Sequence, residues 1–187
     1  MTTPLARTLR GIDTANSADP NIESSQPAAL LYGQRMSSEL ARVMPDASEL
    51  LQIAVRGQHI ERWRLPRAEF PEGREGYLNW RREQARRHAE RVGQIMADAG
   101  YAPDAIARVG QLLRKEGIKR DAEVQALEDV ICFVFLRHYF APFAPKQSPD
   151  ALLKIVQKTA RKMSPDARAR ALAEFDLPEP FAAAFRD

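Results

Sequence analysis

Val130-Ile131-Cys132-Phe133-Val134-Phe135-Leu136 is the longest apolar run in the chain. A membrane-spanning helix needs about 20 consecutive apolar residues, so this run predicts a core helix and no membrane partner. It is entered from Asp121, an N-cap residue type, and carries Leu127 one turn before the run. Hydrophobicity on every side is the mark of a helix packed on several faces. Cys132, the one cysteine of the 187 residues, therefore reads as a small buried hydrophobe, and no disulfide framework exists. That absence fits a reducing compartment. Arg7 and Arg10 are followed by no apolar segment of the signal-peptide kind, and the expected location is the cytoplasm.

Outward from this helix the punctuation is helical throughout. Leu5 to Asn16 reads as a first helix, closed by Ser17-Ala18-Asp19-Pro20-Asn21. Pro27 opens a second that runs to Val43, and Pro45 breaks it. Asp46 with Glu49 predicts a capping box for a third helix that reaches His59. Trp63 to Gly76 reads as a long loop, and loops of that length are often functional. A long helix from about Tyr77 to Ala99 stops at Gly100, and Pro103-Asp104 opens one to Lys115. Ser148-Pro149 and Ser164-Pro165 are N-cap and N1 pairs for two amphipathic helices. No stretch shows sustained period-two alternation, so no strand is predicted. The expected class is all-α, one helical domain over residues 1–187.

Net charge is +3. Between Arg56 and Arg91 stand ten arginines, no lysine and six glutamates, a net +4, so the positive excess is local. Arg81, Arg82, Arg86 and Arg87 repeat as on an exposed helix face. Arg62, Arg64 and Arg67 sit in a Pro-constrained loop directly after His59, where guanidinium groups can clamp a phosphate or carboxylate. That placement predicts Arg62 or Arg67 turned inward at a pocket mouth. Trp63 and Trp80 read as packing residues. The segment lacks interleaved exposed aromatics, and +4 is little charge for nucleic acid, which is not the expected partner.

His88 lies on the stripe Ala85, His88, Val92, Ile95, Ala99. It reads either as a core imidazole bonded to a carbonyl or carboxylate, or as a metal ligand or proton carrier. For Glu128-Asp129, just before the apolar run, one reading puts Glu128 on the surface and pairs Asp129 with an arginine. The other makes Asp129 a cation ligand. His138 has no assigned role. No phosphate-binding Gly-rich loop, nucleophile elbow, H-E-x-x-H or paired C-x-x-C is present.

Several stretches, in order, resemble the HD-domain superfamily of helical metal-dependent phosphohydrolases. Tyr32-Gly33-Gln34-Arg35-Met36 is similar to its opening H-x-x-R-V, and Ile53 to Ile60 to its A-x-L-L-H-D segment. His88-Ala89-Glu90-Arg91-Val92-Gly93-Gln94-Ile95-Met96 is similar to an H-A-x-x helix, Val109 to Lys115 to a V-x-x-x-I-x-x-H helix, and Ala122 to Val130 to the late L-x-D-A-D segment. The resemblance implies an HD-like bundle over about 28–140, with an extra helix before it and a helical extension over about 147–187. It implies His59, His88 and Asp129 as ligands of one divalent metal. Tyr32 stands at the first ligand histidine, Ile60 at the aspartate of the HD pair, and Lys115 at a further histidine, so the customary two-metal set is incomplete. Lys115 and Asp129 become the candidate catalytic pair. Arg62, Arg67, Arg81 and Lys115 become the candidate contacts to a small phosphate- or carboxylate-bearing ligand. Trp63-x-x-Pro66-Arg67 and Leu127-Glu128-Asp129-Val130 are also similar to stretches of a family catalogued only as a domain of unknown function. The expected function is an anion pocket, with metal-dependent hydrolysis open and a partner-binding helical module as the alternative.

Overall fold

The structure is a computed structural model and describes residues 2–186. Among these residues the chain forms ten α-helices and a single hairpin of two-residue strands, so the class is all-α. The hairpin pairs β1 (Ile22–Glu23) with β2 (Gln26–Pro27). It departs from the expectation of no strand, because two residues per strand are too few to show any alternation in sequence. No helix among the described residues is long and apolar enough to cross a membrane.

Contacts divide the chain into two compact units, Met1–Glu116 and Gly117–Asp187. The first holds α1 (Pro4–Asn16), α2 (Ala28–Val43), α3 (Glu49–Gly57), α4 (Gly73–Asp98) and α5 (Pro103–Arg114). Helix α3 packs on α2 and α5, α4 packs on α5, and α1 lies on α3 and α4. The apolar face of α3 enters the middle of this layer: Leu51, Ile53, Ala54 and Val55 are fully buried. Gly57 lets α3 approach α4 closely, since a Cβ there would stand 2.6 Å from Val92 Cγ2.

Two boundaries differ from the sequence reading. The N-cap of α3 is Ser48, whose Oγ accepts from Leu51 N at 3.1 Å, and not Asp46. Helix α4 starts at Gly73, four residues earlier than Tyr77. Its first turn backs onto Pro71, and a Cβ on Gly76 would lie 1.9 Å from that carbonyl oxygen. Glycine there permits a contact that a propensity argument discourages. The loop before it contains two 3-10 turns, Arg62–Arg64 and Arg67–Glu69.

The second unit holds α6 (Ala122–Val134), α7 (Phe140–Phe143), α8 (Pro149–Lys162), α9 (Pro165–Glu174) and α10 (Phe181–Arg186). Helix α6 is capped by Asp121, as expected, and packs on α8. Cys132 is 3% exposed and its thiol donates to the Thr159 carbonyl at 3.8 Å. A π-helical turn, Phe135–Tyr139, follows α6. Ser148 and Ser164 cap α8 and α9 through Ala151 N and Ala167 N. The pair Glu128-Asp129 is placed opposite to the first of its two readings. Glu128 is 2% exposed, 3.4 Å from Lys162 Nζ. Asp129 is half-buried and holds the start of α9, as described below.

Candidate functional site

The first unit brings two of its histidines, three of its cations and two of its tyrosines into one neighbourhood. His59 follows the end of α3. Tyr32 on α2 lies flat against it, with ring centroids 4.0 Å apart and planes 16° from parallel. His88 on α4 has its ring centroid 6.2 Å from that of His59. The Tyr32 hydroxyl donates to Gln58 Oε1 at 3.0 Å. The His88 imidazole donates to the backbone carbonyl of Gln58. Its Nε2 is buried and has no partner, so the donating nitrogen is Nδ1.

The chain turns sharply after His59. Glu61 takes a left-handed conformation, φ +49°, and its N–H is received by Asn16 Oδ1 at 3.0 Å, at the buried end of α1. Its carboxylate meets Arg64 at 3.3 Å and Arg91 at 3.2 Å. The turn carries Arg62 inward. Gln84 Nε2 donates to the Arg62 and Leu65 carbonyls at 2.9 and 3.0 Å, and Trp80 Nε1 donates to the Leu65 carbonyl at 2.9 Å. With its backbone strapped to α4, Arg62 lays its guanidinium over the Trp80 ring, 4.5 Å from the centroid. Arg81 donates to the Tyr77 hydroxyl at 3.0 Å.

Electrostatics follow from this crowding. Neither Arg62 nor Arg81 has a carboxylate within ion-pair reach among the described residues. Burial lowers the pKa of Arg62 from its ordinary value, and the charge of Arg81 adds to the effect. His59 is held well below the usual imidazole range, first by burial and then by Arg62, His88, Lys115 and Arg81. His88 is pushed down to about 3 by burial and by Arg62, against the pull of the Gln58 carbonyl, with Arg81 and Lys115 adding to the depression. Both imidazoles are therefore neutral near pH 7, inside a ring of permanent charge. Lys115 belongs to this ring from the C-cap of α5, in a left-handed conformation at φ +58°.

The remaining sequence candidates have local roles. Arg67 donates to the Phe70 and Pro71 carbonyls, both at 2.8 Å, and to that of Gly73 at 3.4 Å, closing its own loop. Asp129 lies in the second unit. Its oxygens accept from Ser164 N at 2.8 Å, Ser164 Oγ at 2.7 Å and Gln125 Nε2 at 2.9 Å. Arg86 and Arg87 pair with Glu83 on the outer face of α4, and Arg86 also with Glu90.

The metal implied by the resemblance needs anionic or neutral donors around a cation. Among the described residues no group of three or more His, Cys, Asp or Glu side chains could hold one. In the first unit the charges of Arg62, Arg81 and Lys115 act on both histidines and repel a divalent ion. The residues present there do not fit that cofactor.

Sequence reasoning named His59, His88, Arg62, Arg81 and Lys115 but missed Gln58, Tyr77 and Gln84, and gave Trp80 and Tyr32 no site role of their own. A signal was present. Tyr77, Arg81, Gln84, His88, Val92, Ile95 and Ala99 form one continuous helical stripe, polar in its first half and apolar in its second. A groove of about 320 Å³ runs along part of it; Gln84 and His88 line it together with Glu61, Glu90, Arg64 and Arg91, whereas Arg62, Arg81 and Lys115 lie outside its lining.

No curated protein and no solved structure matches the chain. A family model described as Domain of unknown function (DUF4202) matches residues 6–184. By that match, which reaches into both units and takes in every residue of the candidate site, the chain belongs to that family.

Proposed function

We propose that the first unit is a receptor for a small phosphate- or carboxylate-bearing anion, with Arg62, Arg81 and Lys115 supplying the charge. The observation that carries the reading is Arg62. A half-buried guanidinium laid on Trp80, with no acidic partner, costs free energy, and an anion offsets that cost. The neutral imidazoles of His59 and His88 and the Tyr32 ring give the pocket polar walls without negative charge. Tyr32, His59, His88 and Lys115 are also the positions at which the HD-like resemblance expects ligands. The reading is one of binding: an imidazole held near 3 is a weak general base at neutral pH. The alternative of docking on an acidic protein surface has one observation in its favour, since Tyr77 and Leu78 beside Arg81 are 41% and 40% exposed.

Thermal unfolding tests the proposal. Inorganic phosphate at millimolar concentration raises the melting temperature of the wild-type chain by mass action. Arg62→Met, which keeps apolar cover over Trp80, loses the shift, whereas Arg67→Ala removes a loop charge and keeps it. Absence of any shift with phosphate and with a series of small carboxylates would sink the reading.

A further inference from the structure

Tyr77 gives the anion site an aromatic shelf beside its two arginines. Arg81 reaches back one turn along α4 and donates to the Tyr77 hydroxyl at 3.0 Å, with its guanidinium carbon 5.9 Å from the centre of that ring. The Tyr77 and Trp80 rings lie 5.9 Å apart, tilted by 43°. Arg62 covers the Trp80 ring at 4.5 Å. Arg81, Tyr77, Trp80 and Arg62 thus form one row, with a guanidinium at each end and the aromatic rings between. None of these residues borders the groove that His88 lines, so the row is a separate surface. Its ends hold unused donors. Among the described residues the Arg62 guanidinium makes no hydrogen bond, and Arg81 makes only the one to Tyr77. A guanidinium stacked on a ring keeps its N–H groups in its own plane, where an oxyanion can accept from them. The rings differ in access. Trp80 is half-buried, with its Nε1 committed to the Leu65 carbonyl, whereas Tyr77 is 41% exposed.

Resting on the anion-pocket reading, we propose that the ligand carries a planar aromatic ring beside its anionic group. The oxyanion accepts from the unused N–H donors of Arg62 and Arg81, and the ring packs on Tyr77. A bare anion uses only the first of these contacts. An aromatic ring uses both, since offset or tilted ring pairs are favourable beyond the area they bury. The hydrogen bond from Arg81 and the contact with Trp80 hold the Tyr77 ring in place before the ligand arrives, which lowers the ordering cost of binding. Neither contact involves His59 or His88.

Calorimetry on the full chain at about pH 8, where a phosphate monoester has lost its second proton, compares phenyl, cyclohexyl and methyl phosphate. Benzoate, cyclohexanecarboxylate and acetate repeat the comparison for a carboxylate head and so separate the two sources of charge. With whichever head binds, the aromatic compound is expected to bind about ten-fold tighter than its methyl counterpart. The cyclohexyl compound, of similar size but without a π face, is expected about three-fold or more weaker than the aromatic one. Tyr77→Phe keeps the ring and the gap. Tyr77→Ala places a good helix former at an exposed helical position, so the fold is retained, and closes the gap between aromatic and methyl compounds. An aromatic anion that binds no tighter than the methyl one, a cyclohexyl anion that matches the aromatic one, or a gap that persists in Tyr77→Ala overturns this proposal and leaves the anion pocket standing. Binding of none of these compounds removes both.

Discussion

Tyr32 lies parallel to His59 with 4.0 Å between ring centroids, and it anchors the arrangement by donating to the side chain of Gln58, the residue just before that histidine. The tyrosine therefore acts as a lid on the imidazole, at a position where the superfamily resemblance expects a metal-binding histidine. Burial is the largest cause of the lowered His59 pKa, and Tyr32 supplies part of that burial. Tyr32→Ala should move the His59 pKa up toward the ordinary 6.5, read by NMR titration of the imidazole. Tyr32→Phe keeps the stack and loses the hydroxyl that donates to Gln58, at about 1 kcal/mol of stability. A His59 titration unmoved by Tyr32→Ala would show that the ring does not shield it.

Two neutral imidazoles, His88 buried and His59 half-buried, make the fold sensitive to acid. In the unfolded chain each takes up a proton near pH 6.5, whereas folded His88 does so only near 3 and folded His59 well below 6.5. The folded pKa values are depressed, so the contribution is complete above about pH 6.5 and diminishes as pH falls. Each imidazole should cost about 1.4 kcal/mol per pH unit within its window. Chemical denaturation at pH 7, 6 and 5 reads this directly, above the range where most carboxylates titrate. His88→Gln should roughly halve the slope. Equal stability at pH 7 and pH 5 would contradict the assignment of neutral rings.

Lys115 occupies a backbone conformation that favours glycine, at the C-cap of α5. Non-glycine residues in the left-handed region cost on the order of 1 kcal/mol or more. Lys115→Gly relieves that strain and removes one of the three cations. The expected result is stability unchanged or raised by up to about 1 kcal/mol, with phosphate affinity reduced. A variant that loses stability and keeps full phosphate affinity would assign Lys115 to structure and not to the pocket.

The helices were legible because their signals are local. Pro103, Ser148-Pro149, Ser164-Pro165 and Asp121 mark ends by capping chemistry that involves only a few neighbouring residues. The buried face of α3 and the run through Leu136 follow from hydrophobic period alone. The start of α4 was not legible, because Gly73 and Gly76 weaken a helix locally and are tolerated here by contact with Pro71.

The candidate site divides along the same line. Composition and order placed His59, Arg62, His88 and Lys115 together as candidates, since the charge excess and the motif order are properties of the chain itself. Which arginine turns inward was decided by tertiary contacts. Asn16 holds the Glu61 turn, and Gln84 and Trp80 hold the backbone that follows, from helices 45 and about 20 residues away in sequence. Arg62 and Arg67 are chemically identical and five positions apart. One rests over an aromatic ring and the other on three carbonyls of its own loop. A guanidinium satisfies itself with whatever acceptors or aromatic faces the fold brings within reach, and long-range packing sets that supply.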